Sequence, residues 1–126
     1  MESKKDIAVS FLQLASSGNA RQAFRKYVHP QFSHHNPYFK GDRESLLTGM
    51  EESAVQFPKK VFEVVRTLED GDFVVVHGKV RLNPDMPEIA LIHIFRFDGD
   101  LIIEEWEAAQ EVPQESPNDL FSATLF

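Results

Sequence analysis

An imidazole and a carboxylate facing each other across a β-hairpin make an acid–base pair, and the segment around Asp98-Gly99 offers candidates for both. The runs Ile89 to Phe97 and Leu101 to Ala109 are rich in Val, Ile and Phe and read as strands, with Asp-Gly between them as a hairpin signal. A two-residue loop at Asp98-Gly99 sets Phe97 against Asp100, Phe95 against Ile102, His93 against Glu104 and Leu91 against Trp106. One face of the sheet then carries His93 and Glu104 between apolar walls of Leu91, Phe95 and Trp106. On that face the carboxylate would stabilise the imidazolium and fix its tautomer, giving a general acid–base dyad. The same two groups also make an ordinary cross-strand salt link. A three-residue loop would instead set His93 against Glu105 and Leu91 against Glu107. The first register is preferred because it puts Trp106 inside and leaves Glu105 and Glu107 in solvent.

Other side chains with chemical capacity are few. Tyr38 can donate a hydrogen bond to a ligand oxygen from a pocket wall. His34 and His35 are adjacent, so in an extended segment they point opposite ways, and His34 is read as the surface member. With neither HxH nor HExxH spacing, metal binding is not expected, and the absence of Cys excludes thiolate chemistry and disulfides. Lys59-Lys60 reads as strand-edge charge.

These groups need a scaffold. Ser3 and Asp6 have capping-box spacing, Ile7, Phe11, Leu14 and Ala15 follow at helical period, and Gly18 stops the helix. Asn19 can cap a second short helix carrying Ala20, Ala23, Phe24 and Tyr27, ended by His29-Pro30. Residues 31–40 read as a loop or irregular strand. Asp42 caps a third helix with Leu46, Met50, Ala54 and Phe57 on one face, ended by Pro58. Beyond it the period changes to that of strands: Val61 to Leu68, Phe73 to Leu82, and the two hairpin strands. In the second of these, Val74, Val76, Gly78, Val80 and Leu82 form the inward face, where Gly78 leaves space a ligand could use. Segregated helices and strands with short connections predict an α+β fold, cone-like, with three N-terminal helices packed on a strongly curved antiparallel sheet of about four main strands.

The 126 residues suit one domain over 1–126, with the tail 111–126 packing on it or on a partner subunit through Leu120, Phe121, Leu125 and Phe126. Eleven Phe and one Trp supply large apolar walls. A net charge of −7 repels phosphate backbones and anionic lipids, so neither nucleic acid nor membrane is an expected partner. Without an apolar leader or a run of membrane length, a cytoplasmic location is expected. The face bearing Ile92, Ile94 and Arg96 predicts a homodimer through the outside of the sheet.

In their order, His35-Asn36-Pro37, Gly71 to His77, Ile94-Phe95-Arg96 and Glu104-Glu105-Trp106-Glu107 with Gln110 resemble the SnoaL-like group of the nuclear transport factor 2-like superfamily, over roughly Ile7 to Gln110. The resemblance implies a pocket inside the cone, with His35 and Asn36 in a pocket-lining motif where His35 orients a carbonyl or takes a proton. It also implies Asp where this chain has His93, and His-Trp-Asp where it has Glu105-Trp106-Glu107, which keeps Glu107 as a minor candidate. Limonene-epoxide-hydrolase-like members need an Arg and Asp residues where Gly78, Val80 and Ala108 stand here, so that machinery is missing. The expected function is binding of a small apolar molecule bearing an oxygen, with proton transfer next to a carbonyl by His35, His93 and Glu104. Isomerases, cyclases and dehydratases of this kind use no cofactor. The alternative is a non-catalytic binding or dimerisation module of the same fold.

Overall fold

Helix α1 (Lys4–Ser16) starts at the capping box read from the sequence. The Asp6 N–H donates to Ser3 Oγ at 3.1 Å, and the Ser3 N–H donates to the Asp6 carboxylate at 3.4 Å. It ends where Gly18 takes φ +89°, a conformation that costs glycine nothing. In the computed structural model, which describes residues 2–118, α2 (Ala20–Tyr27) and α3 (Arg43–Gln56) follow. Asp42 caps α3 by accepting from the Ser45 N–H at 3.0 Å. Asn19 precedes α2, but its side chain turns back to Ser17 and caps nothing. The expected stripe of α3 faces the core through the buried Leu46 and the partly buried Met50, Ala54 and Phe57, and it is widened by the buried Leu47 and Gly49, the latter lying against Phe39.

Five strands form one curved, unclosed sheet among the described residues: β1 (Val28–His34), β2 (Val61–Asp70), β3 (Phe73–Arg81), β4 (Ile89–Asp98) and β5 (Leu101–Glu111), in the order β1-β5-β4-β3-β2. The architecture is α+β with three helices on the concave face, as expected, and the count of strands is one higher. The additional strand, β1, runs parallel to β5 at the sheet edge. Pro30, Gln31 and Ser33 hide it from a reading by β propensity, yet Val28, Phe32 and His34 point inward.

The core fills the closed end of the cone. Phe11 stacks edge-on against Phe95 at 5.8 Å and tilts against Phe24 at 5.4 Å, while Phe24 meets Phe32 at 6.0 Å. Val74, Val76, Gly78 and Val80 all face inward, as the alternation in β3 requires.

The β4–β5 hairpin departs from both expected registers. Its loop is Gly99-Asp100, with Asp98 opposite Leu101 and Phe97 opposite Ile102. Gly99 has φ +61° as the first central residue, the position that a II′ turn reserves for glycine. Ile103 is then an extra residue on β5, so Arg96 meets Glu104, Phe95 meets Glu105, Ile94 meets Trp106 and His93 meets Glu107. Moving the turn by one residue leaves the faces unchanged. The bulge at Ile103 exchanges them, turning Glu105 and Glu107 inward and Glu104 and Trp106 outward.

Candidate active site

Inside the cone, β4 and β5 bring together three ionisable groups. His93 and Glu105 are 5% and 1% exposed, and Glu107 lies beside them. His93 Nε2 stands 3.5 Å from Glu107 Oε2 and 3.8 Å from Glu105 Oε1. The loop after β1 adds a fourth group, because Asn36 Nδ2 donates to Glu107 Oε1 at 2.6 Å. His34 holds that loop. Its Nε2 donates to the Lys40 carbonyl at 2.7 Å and its Nδ1 accepts the Asn36 N–H at 3.1 Å, which defines a neutral imidazole protonated on Nε2.

Burial and mutual charge divide the roles. Burial, assisted by the neighbouring Glu107 charge and opposed by His93, pushes Glu105 up to about 8, so it holds its proton at neutral pH. Burial works against the imidazolium of His93, but the Glu107 hydrogen bond and the two carboxylates outweigh it and raise its pKa. Burial likewise opposes ionisation of Glu107, yet its bonds to His93 and Asn36 keep it below the ordinary carboxylate range. The set is an ionised Glu107 against a protonatable His93, with a proton stored on Glu105. Neither Glu105 oxygen nor His93 Nδ1 has a hydrogen-bond partner among the described residues. One ligand atom from each of His93, Glu105 and Glu107 lies within 4.8 Å of the others, so the triad also has the donor set for a divalent cation.

His93 lines a cavity of about 150 Å³ between α1, α3 and strands β2 to β4, walled by Leu12, Met50, Phe62, Val80 and Leu91. This is the volume of an apolar cavity that takes a benzene ring. A wider groove of about 510 Å³ lies by Arg81, Met86 and Pro113, and none of the ionisable triad reaches it.

The sequence-predicted residues therefore divide. His93 and Leu91 line the cavity, Asn36 bonds the inward Glu107, and Phe95 lies stacked on His93 at 5.9 Å in the core. His35 and Glu104 do meet, at 2.8 Å, but on the outside of the sheet, where Arg96 also donates to Glu104 at 2.9 Å and 3.0 Å. Trp106 is there too, stacked on His35 at 5.1 Å, so it is no pocket wall. His34 and His35 exchange their expected sides because β1 turns Phe32 and His34 inward. Tyr38 is 86% exposed, its loop held by an Asx contact from Asn36 rather than by the pocket. Gly78 offers no ligand space: a Cβ there would sit 2.7 Å from the Glu63 carbonyl and 3.1 Å from the Phe62 ring. It is glycine because β2 crowds it.

Glu105 and Glu107 face inward instead of into solvent, and the sequence carries a signal for it. Ile102-Ile103 followed by Glu104-Glu105 breaks the period of two, as an inserted bulge residue does.

The family model described as a SnoaL-like domain matches residues 8–105. No curated protein matches the chain in sequence. Solved structures share the fold. IdmH from Streptomyces antibioticus, provisionally named a polyketide cyclase, is 17% identical with a TM-score of 0.72, covering 86% of this chain and 93% of its own. AclR from Streptomyces galilaeus, provisionally named a hydroxylase, is 16% identical with a TM-score of 0.71, covering 85% and 88%. An NTF2-like protein of unknown function from Cytophaga hutchinsonii is 16% identical with a TM-score of 0.71, covering 87% and 92%. At such identities the likeness is one of fold.

Proposed function

This chain belongs to the SnoaL-like domain family, and we propose that it catalyses proton transfer next to a carbonyl in a small apolar molecule, in the manner of an isomerase, cyclase or dehydratase. The observation that carries this reading is the buried His93 on the wall of an apolar cavity, with the buried Glu105 and the half-buried Glu107 within 4 Å behind it. The cyclase name of the similar fold in IdmH agrees with it. In this reading His93 acts in a dyad with Glu107, 3.5 Å away, instead of with Glu104.

The steps follow from the charges. Glu107 accepts the Nε2–H of His93 and leaves Nδ1 as the basic nitrogen. Nδ1 removes the proton from the carbon beside the carbonyl, and the resulting imidazolium is held by Glu107. The Glu105 carboxylic acid supplies the proton that the set returns to the substrate at carbon or at oxygen, and the proton gained by His93 then replaces it on Glu105, 3.8 Å away, before the next turnover. The apolar walls exclude water, which strengthens each of these interactions. Such chemistry needs no cofactor.

Deuterium exchange into the methyl group of acetophenone, followed by proton NMR in D₂O, tests the proposal. Exchange well above buffer that disappears in His93→Ala supports it. Acetophenone binding without exchange leaves a non-catalytic binding module, the alternative for this fold.

The convex face is assigned, in the same reading, to a homodimer. Ile92 and Phe73 are 44% and 43% exposed on it, beside Trp106. Sedimentation at micromolar concentration, with Ile92→Glu as the disrupting variant, is expected to show a dimer that becomes a monomer. The proposed tail contact of Leu120, Phe121, Leu125 and Phe126 lies outside the described residues.

A further inference from the structure

The cavity has a second ionisable group, which proton transfer at His93 does not use. Lys60 lines its wall, immediately before β2, on a turn whose Lys60 N–H donates to the Phe57 carbonyl at 3.1 Å. Its Nζ donates to Ser53 Oγ on α3 at 2.7 Å. That hydroxyl is a neutral partner, and no carboxylate pairs with Lys60 among the described residues. Arg21, Lys79, Arg81 and Arg96 each have one within 4 Å. Burial draws the Lys60 pKa down, as expected of an ammonium held against apolar surface without a counter-ion.

The sheet register places the two polar groups at different depths. His93 lies opposite Val76, midway along β3. Lys60 precedes Val61, which pairs with Arg81 at the far end of the same strand. Between them the slot is walled by Leu12, Met50, Phe62, Val80 and Leu91. Five residues of strand separate Val76 from Arg81, about 17 Å at roughly 3.3 Å per residue. A lysine side chain spans part of that distance and a single substituted ring spans much of the rest.

We propose that Lys60 is the anion-binding group of the cavity, and that the ligand is a small apolar oxo acid, its carboxylate at Lys60 and its carbonyl directed toward His93. This deepens the proton-transfer reading and rests on the cavity being a small-molecule site. An anion at Lys60 supplies the counter-charge the fold leaves out, and the slot between the two groups matches a body about one ring in size. The ligand's charge also orients it, since a carboxylate at the His93 end would face Glu105 and Glu107.

The full-length chain is titrated with 4-acetylbenzoate and with 4-acetylbenzamide, a neutral molecule of nearly the same shape, by calorimetry at pH 7. Wild type is expected to bind the acid at least about tenfold more tightly than the amide. Lys60→Met should lose that preference while keeping its affinity for the amide, and Lys60→Arg should restore most of it. Equal affinities in wild type, or a preference that survives Lys60→Met, overturns the proposal. Binding of neither molecule removes the cavity reading and the proposal together. Deuterium exchange at the acetyl group reads the His93 chemistry separately, so a protein that binds the acid through Lys60 without exchange keeps this inference and loses only the catalytic one.

Discussion

The β4–β5 hairpin carries two polar constellations, one on each face, and they are built from nearly the same parts. Outside, His35, Glu104 and Arg96 are joined at 2.8 Å to 3.0 Å beside Trp106. Inside, His93, Glu105 and Glu107 sit at 3.5 Å to 3.8 Å with Asn36. The outer set has the shorter ion pairs. It is also balanced, since Glu104 faces a guanidinium and an imidazole that hold its pKa low, and the His35 side chain is 49% exposed. Water screens such a set and can replace any of its members. The inner set has one imidazole for two carboxylates and lies buried, and that burial pushes Glu105 up to about 8, so the set holds a proton at neutral pH. Incomplete pairing in a dry site, more than short distance, marks a group prepared for chemistry.

The sharpest way to break this comparison is to remove one group from each face. His93→Ala and Glu107→Gln are expected to lower acetophenone exchange by about 10²–10⁴-fold, the usual worth of a positioned acid or base. His35→Ala and Glu104→Ala should leave it within about threefold. If the outer pair proves the more damaging, the assignment of faces to roles is wrong.

The next largest effect is on stability against pH. Glu105 loses its proton near its ordinary value of 4.5 when unfolded and only near 8 when folded. Between those values the native state binds more protons than the unfolded one, so stability falls as pH rises. His93, also raised, contributes stability that is complete below about 6.5 and is lost as pH rises further, in the same direction. Glu107, lowered, opposes them only at acid pH, below its ordinary range. Urea unfolding is therefore expected to show a loss on the order of 4 kcal/mol between pH 5 and pH 8.5, and Glu105→Gln should flatten most of it. A divalent cation held by the triad would reverse the trend, because its ligands must be deprotonated. Addition of zinc that raises the unfolding midpoint more at pH 8 than at pH 6, and does so less in Glu105→Gln, would identify a metal centre in place of a stored proton.

How far the sequence showed these two faces depends on the range of the interactions involved. The caps at Ser3 and Asp42, the stop at Gly18 and the inward row of β3 are written in a few adjacent residues, and all could be read. Strand β1 could not, since Val28 and Phe32 are positioned by a parallel neighbour some seventy residues away, at Ile102 to Glu105. The inward placement of His93, Asn36 and Leu91 was legible, since their side is set by β4 or by the motif after β1. It failed at Glu104 and Trp106, because the single extra residue Ile103 reverses every later side chain of β5. The rule that favoured Trp106 inside describes cores. An active site is where a fold accepts buried charge against that rule.

A milder variant separates packing from pocket on the inner face. Gly78→Ala would drive a methyl to 2.7 Å from the Glu63 carbonyl, so the β2 backbone at Glu63 must shift. The expected cost is about 1–3 kcal/mol, seen as a lower unfolding midpoint, with no gain or loss of affinity for acetophenone. Weaker binding without loss of stability would return Gly78 to the pocket.

The smallest effect tests the outer face alone. Glu104 is the common partner of Arg96 and His35, and its side chain is 19% exposed. A surface pair of this kind contributes about 0–1 kcal/mol, and the arginine geometry puts it near the upper end. Glu104→Ala is expected to cost about 1 kcal/mol at low salt and less at 1 M salt, where screening acts within about 3 Å. The Glu104–Arg96 pair also sits beside the apolar residues assigned to the dimer, so its loss could be larger in the assembled protein than in the monomer. Measuring Glu104→Ala in the Ile92→Glu background distinguishes these contributions. If the cost is unchanged there, Glu104 only ties strand to strand. If it falls toward zero, the outer constellation serves assembly, and the two faces of one hairpin divide the protein's work between a partner and a ligand.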